Sequence, residues 1–316
     1  MVDFRYHLIS LIAVILALAL GILAGSGFLG GPILEQLRNE VDDLAVTADT
    51  LRDEVNAQEA RLNEAETFAR SVQPLLVGDS LAGTDIVVFQ LAGSSGGLID
   101  GVKRALIDAG ATVATEITFT SKLALSSNPA IDELTLITGS LAAEKAELME
   151  EAALLIGERM AAASDDPGQP QSPTTSATQR LLKLLDDLER AEFIGVSTQD
   201  EARIAPQDAT FVVIGGAEDR PPFDVSLFGP ALAEGLTGRG GRALIAESSD
   251  SSWGLVRSIR ADIEARSVAI TVDNAETTVG RISAVLGLDH AEDGVIGHFG
   301  NQPGRTALIP DPAPSG

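Results

Sequence analysis

Two hydrophobic patterns stand end to end in the first 72 residues. From Leu8 to Leu29 the chain is apolar all round, with Ser10 and Ser26 its only hydroxylated members. At 1.5 Å of rise per residue this makes a helix of about 33 Å, enough to cross a bilayer core. From Leu34 the pattern changes to alternating steps of three and four: Leu34, Leu37, Val41, Leu44, Ala48, Leu51, Val55, Gln58, Leu62, Ala65, Ala69 and Val72. With Leu34 at a and Leu37 at d this is a seam of about five heptads, broken by Gln58, and it predicts a left-handed coiled coil of about 58 Å. Pro74 is expected to end the helix.

Past Pro74 the pattern alternates short apolar runs with helix-length segments. The runs 85–91, 111–118, 210–214, 242–246 and 268–272 read as strands, and 98–110, 128 onward, 141–160 and 180–191 read as helices. Such alternation predicts a mostly parallel, Rossmann-like, three-layer α/β head. The composition shifts to Asp, Pro, Gln, Ser and Thr between 164 and 178, the signature of a disordered linker dividing two halves of one sheet. The expected organisation is therefore 1–7 cytoplasmic N-terminus, 8–29 transmembrane helix, 30–76 coiled coil, 77–163 and 179–309 the two halves of the head, and 310–316 a tail.

Charge sets the orientation. Arg5 and the chain amine precede the apolar run, while Glu35, Arg38, Glu40, Asp42 and Asp43 follow it, so the N-terminus is placed in the cytoplasm and the head outside, as in a signal anchor. A cleaved signal peptide is the competing reading, with Ala24-Gly25-Ser26-Gly27 as its cleavage site. Against it, the n-region is barely basic and apolar residues continue through Phe28, Leu29, Ile33 and Leu34. Ala13, Ala17, Gly21 and Gly25 recur every four residues, a small-residue face on which two membrane helices can approach closely. That face and the heptad seam both predict a parallel homodimer. In it Arg61 can pair with Glu66 of the second copy, whereas Glu54 faces Glu59 unfavourably. An intramolecular helical hairpin is the alternative, but no second heptad run exists to partner the first.

Net charge of −24 repels phosphate backbones, which removes nucleic acids as partners. The absence of cysteine removes disulfides, thiolate nucleophiles and thiolate metal ligands. Gly93-Ser94-Ser95-Gly96-Gly97 follows a strand and opens a helix, where a dinucleotide-binding loop would sit, yet it lacks Gly-x-Gly-x-x-Gly spacing and reads as a tight turn. Ser94 or Ser95 has no nucleophile-elbow context, and the only histidines past the span are His290 and His298. Asp289-His290-Ala291-Glu292-Asp293, with His298, is the candidate metal site, and its competing reading is a solvated acidic loop. Met149 and Met160 read as core filling. No catalytic constellation or cofactor motif emerges, so the chain is expected to be a binding protein and not an enzyme.

Tyr6 to Phe28, followed by a coil and by the ending Gly294-Val-Ile-Gly-His298-Phe-Gly300, resembles the actinobacterial MctB family. The resemblance covers the whole order of segments. It implies a copper-transport protein of the cell envelope, with copper as cargo. In corynebacteria the family is also associated with cell separation, through control of peptidoglycan hydrolases, so an envelope protein partner is implied as well. One membrane helix cannot enclose a pore, and no succession of ten-residue alternating strands supports a β-barrel. A non-catalytic dimeric scaffold therefore fits the residues better than direct copper efflux.

Overall fold

The computed structural model describes residues 4–165, 176–198 and 204–311, with backbone alone for 26–34 and 176. Two compact units divide the chain, Met1–Ala65 and Glu66–Gly316. Helix α1, Phe4–Val77, supplies nearly all of the first unit and the opening turns of the second. Pro74 lies inside it, contrary to the expectation that it ends the helix. Proline this close to the C-terminus forfeits only one bond of the ladder, and burial repays it: Val77 and, just beyond, Leu81 are almost fully enclosed by the head. Gly78 closes the turn with its N–H on Pro74 O at 3.1 Å, at a point where a Cβ would lie 2.5 Å from that oxygen.

The head alternates as the hydrophobic runs predict. In order come β1 Asp85–Gln90, α2 Gly96–Asp108, β2 Thr112–Phe119, α3 Asn128–Thr138, α4 Lys145–Ser164, α5 Ser176–Arg190, β3 Ile194–Thr198 and β4 Thr210–Ile214. Then follow α6 Val225–Thr237, β5 Arg242–Ala246, α7 Leu255–Ala261, α8 Ile263–Val268, β6 Ala269–Val272, α9 Thr278–Ala291 and β7 His298–Phe299. Among the described residues these strands form one sheet in the order β3-β2-β1-β4-β5-β6-β7, with every neighbouring pair parallel except β2–β3. Strands β3 and β7, the two edges, are additions that the apolar runs do not announce. The stretch 164–178 is helical at both ends, since α4 continues through Ser164 and α5 begins at Ser176; the middle of the expected linker, 166–175, lies outside the described residues. Helix α4 also starts later than its pattern suggests, leaving Leu141 98% exposed.

Side chains alternate across the sheet with period two. Val87, Phe89, Phe211, Val213, Ala243 and Ile245 face α3–α8, while Ile86, Val88, Val212, Ile214, Leu244 and Ala246 face the end of α1, α2 and α9. Three layers result, with a core on each side of the sheet. The larger core holds an aromatic chain in which Phe119 meets Phe228 edge-on at 4.8 Å and Phe228 meets Phe223 at 5.2 Å. Met149 and Met160 fill the same core, as expected. Helices α4 and α6 cross there with backbones in contact, because a Cβ on Gly235 would come within 2.5 Å of Leu154 O. Both sheet edges are covered: Glu189 Oε1 accepts the Val196 N–H at 3.0 Å on β3, and the 306–307 segment pairs with β7.

Truncating Phe228 to alanine removes the ring that joins two others and leaves a cavity that α6 cannot close. The expected loss is about 3–5 kcal/mol, read in a denaturation curve through the emission of Trp253, the single tryptophan of the chain.

Candidate functional site

In a doubly wound sheet ligands enter at the carboxyl ends of the strands, where successive connections leave in opposite directions. Here that point lies between β1 and β4, and the chain closes it with its own groups. Leu91 N–H donates to Ile214 O at 3.1 Å and Ser95 N–H donates to Gly216 O at 3.0 Å, stitching the two loops together. The hydroxyl of Ser94 turns back to Leu91 O at 2.7 Å. Gly93 has φ of +82°, and a Cβ there would stand 3.5 Å from Pro222 and 3.6 Å from the ring of Trp253, whose Nε1–H is held by Asp219 O at 2.6 Å. Gly93–Gly97 is thus a packed turn. Neither serine faces an imidazole, because His298 is on the far edge strand and bonded elsewhere.

The most concentrated chemistry of the head is a polar clasp at the end of β6. Asp273, fully buried, accepts Arg260 Nη1 at 2.6 Å and the N–H groups of Asn301 and Gln302 at 2.6 and 3.1 Å. Arg260 donates in turn from Nε to Thr271 Oγ1 and from Nη2 to Phe299 O, both at 2.8 Å, and its Nη1 also reaches Pro303 O at 3.4 Å. One side chain therefore gathers β6 and the whole 299–303 segment. Gly300, at φ +120°, passes so close that a Cβ would sit 2.3 Å from the Asp273 carboxylate, and a Cβ on Gly297 would strike the Phe299 ring at 2.2 Å. Gly297 and Gly300 thus serve close packing, whereas Gly294, with nothing within 4 Å of a Cβ, serves its positive φ of +77°.

His298 belongs to this clasp. Thr271 Oγ1, which accepts from Arg260, lies 3.0 Å from His298 Nδ1, so a hydrogen bond shared with Thr271 occupies that ring nitrogen. Burial is the main cause that draws the imidazole pKa down to about 4, and the positive charges of Arg260 and Arg266 add to it, against an opposing hydrogen bond with the Arg266 backbone. His298 is neutral at physiological pH, with Nδ1 occupied.

The other candidate metal residues are placed elsewhere. Asp289 and His290 are half-buried at the end of α9, and the His290 carbonyl receives the N–H groups of Asp293 and Val295. Glu292 pairs with Arg242 at 2.6 Å, on the rim of a cleft of about 470 Å³ at the amino edge of the sheet whose floor is Ala161, Ala209 and Phe211. Among the described residues no three His, Asp or Glu side chains gather in a way that could hold a metal ion, so Asp289, His290, Glu292 and His298 do not converge.

In the first unit the apolar surfaces are open. Phe4–Gly25 is, among the described residues, the one helical stretch long and apolar enough to cross a membrane, and none of it is buried within the chain. Ala13, Ala17, Gly21 and Gly25 are exposed on it, with nothing within 4 Å of a Cβ on either glycine. Of the heptad seam, Leu37, Val41, Leu44, Leu51, Val55 and Leu62 are 52–70% exposed, while the side chain of Leu34 lies outside the described residues. Sequence reasoning found these positions but missed Thr271 and Asp273, whose only signal is a polar residue within or beside an apolar strand, and Arg260, which sits in α7 and carries no signal of its own.

A bare apolar helix, a heptad helix and a doubly wound head define a membrane-associated α/β protein. The chain belongs to the MctB family: the family model described as "Copper transport outer membrane protein, MctB" matches residues 1–310. It is similar to the "Copper transporter MctB" of Mycobacterium tuberculosis (strain ATCC 25618 / H37Rv) and to that of Mycobacterium bovis. Each is 30% identical over 314 residues, covering 98% of this chain and 99% of the relative. The counterpart in Mycobacterium leprae is 28% identical over 315 residues, again 98% of this chain and 99% of the relative.

The clasp makes a pH prediction. Since the folded His298 pKa lies near 4 against an ordinary 6.5, the unfolded chain binds more protons between those values. Its contribution to stability is complete above pH 6.5 and is lost as pH falls towards 4, by at most about 3 kcal/mol. His298→Gln is expected to flatten the stability slope between pH 7.5 and 4.5 relative to the unsubstituted protein. Burial raises the pKa of Glu247, which acts in the opposite direction, and this cancels in the difference between the two slopes. Parallel slopes would refute the assignment.

Proposed function

We propose that this protein is a non-catalytic, membrane-anchored scaffold of the cell envelope: a parallel homodimer zipped along the heptad helix, with its N-terminus in the cytoplasm and its head outside, engaging an envelope protein partner in the handling of copper. The observation that carries this reading is the seam itself. Six large apolar side chains at a and d positions are more than half exposed in the single chain, and a stripe of that length in water is stable only against another helix of the same period. The small-residue face of the apolar span has the same need and lies on the same helix. Copper enters from the name carried by the relatives. A scaffold role, in preference to direct carriage of the ion, is supported by the state of the possible ligands: His298 is buried with Nδ1 occupied, Glu292 is ion-paired, and no thiol exists anywhere in the chain.

Replacing Leu37, Leu44 and Leu51 together by glutamine removes three d-position knobs, each worth roughly 2–5 kcal/mol if buried at an interface. Light scattering on the detergent-solubilised full chain is expected to fall from dimer to monomer while Trp253 emission stays native. A dimer that survives the triple substitution, or an unsubstituted chain that is monomeric at micromolar concentration, would end the scaffold model.

Copper titration addresses the second reading, in which the chain carries the ion itself. Weak carboxylate-type binding is expected. One tight site per chain, abolished by His290→Ala, would favour direct transport; the half-buried imidazole of His290 beside Asp289 is the feature it would use.

A further inference from the structure

We infer that the intermolecular seam stops at Ala65 and that the last heptad of the same stripe has been taken over by the head, so that a second copy of this chain meets it only along residues 34–65. This rests on the dimeric reading above and specifies its interface. By heptad register the stripe continues without a break through Ala69 at a and Val72 at d. The structure treats these positions differently from those before them. Ala69 is 7% exposed and Val72 is half-buried, as is the small Ala48, whereas the large seam side chains from Leu37 to Leu62 are 52–70% exposed. A side chain already packed by its own head cannot serve as a knob for a partner. The compact head unit accordingly begins at Glu66.

Glu66 fastens this boundary. Its carboxylate accepts the N–H of Thr278, the first residue of α9, at 3.1 and 3.2 Å to its two oxygens, and also receives the Thr278 hydroxyl. Thr278 is almost fully buried, and Arg70, one turn further along α1, approaches the same carboxylate at 3.7 Å. The heptad position of Glu66 is e, from which it would reach Arg61 of a second copy. Held at the amino end of α9, where a carboxylate also meets the favourable end of the helix dipole, it is withdrawn from that pairing. Of the possible interface charges, the one favourable pair is thereby removed.

What remains, residues 34–65, is about 48 Å of helix and more than four heptads, above the three to four over which a coiled coil is sustained. A second copy is the occupant this length favours, because an identical stripe offers knobs and holes at the same spacing and the apolar span ahead of it fixes a parallel arrangement. The interface is weakened in known places, Ala48 and Gln58, and takes no contribution beyond Ala65.

The chain has no cysteine, so single cysteines report cleanly. Leu44→Cys, Leu51→Cys, Leu62→Cys, Ala69→Cys and Val72→Cys are introduced one at a time into the full chain and oxidised in its own membranes, with Trp253 emission verifying each fold. Disulfide-linked homodimers are expected at 44, 51 and 62 and are lost at 69 and 72. In detergent, maleimide labelling at 44 and 51 is expected to rise on dilution. The thiol introduced by Ala69→Cys stays protected at every concentration and becomes reactive only when Glu66→Ala is added. A homodimer band at 69 as strong as that at 51 overturns the inference and leaves the dimer standing. No homodimer at 44 or 51 sinks the dimeric reading, while concentration-independent protection of the thiol at 69 still upholds the takeover of the last heptad. An adduct of a different mass overturns the second copy as occupant.

Discussion

Asp273 sits at the carboxyl end of β6 with no water contact, and an isolated buried carboxylate is among the costliest groups a protein can contain. Its tolerance depends on Arg260, almost as deeply buried, and on two backbone N–H groups from the 299–303 segment. Such a pair is stable only when every remaining donor and acceptor is also answered. Arg260 meets that demand by collecting Thr271 Oγ1 and the carbonyls of Phe299 and Pro303. The geometry of the far edge of the sheet follows from this. Strand β7 is two residues long and could not hold its place by ladder bonds alone, yet Arg260 holds its Phe299 carbonyl and reaches His298 through Thr271, and the Asp273 carboxylate leaves room only for glycine at position 300.

At the other end of the head the constraint is burial. Pro74 should weaken the last turns of α1, but Ala69, Val77 and Leu81 are enclosed by the head and Glu66 is bonded to Thr278, so the helix is carried past the proline. One helix thus answers to two environments. Up to Ala65 its large apolar side chains are exposed among the described residues, whereas beyond Glu66 Ala69 and Val77 are buried. Exposure divides along the same line: the apolar stripes of the first unit are open among the described residues, while the polar groups of the second unit are spent on holding the head together and leave no gathered set of metal ligands among the described residues.

Much of this was legible in the residues. The apolar span, the heptad positions and strands β1, β4, β5 and β6 announce themselves because each satisfies one environment along its whole length: lipid-like on all sides, a seam at a and d, or a strand buried on both faces. The packed turn at Gly93–Gly97 was also readable, since the spacing of its glycines departs from a phosphate loop. The resemblance to the family rests on the apolar block and the 294–300 run, and the whole chain matches that family.

Other features depend on residues that meet only after folding. Glu66 reads as an e-position charge in the coil, and its partner Thr278 lies 212 residues further along the chain. His298 reads as a possible metal ligand, and only its burial, with Thr271 at Nδ1 and the charge of Arg260 nearby, makes it a neutral member of the clasp. Glu292 reads as part of an acidic cluster, and Arg242, 50 residues earlier, takes it into an ion pair. Periodic burial is a local property, written in the order of side chains and recoverable from it. Pairing of charges and hydrogen bonds across the sheet depends on which distant segments the fold makes neighbours, and that was decided by the tertiary structure alone.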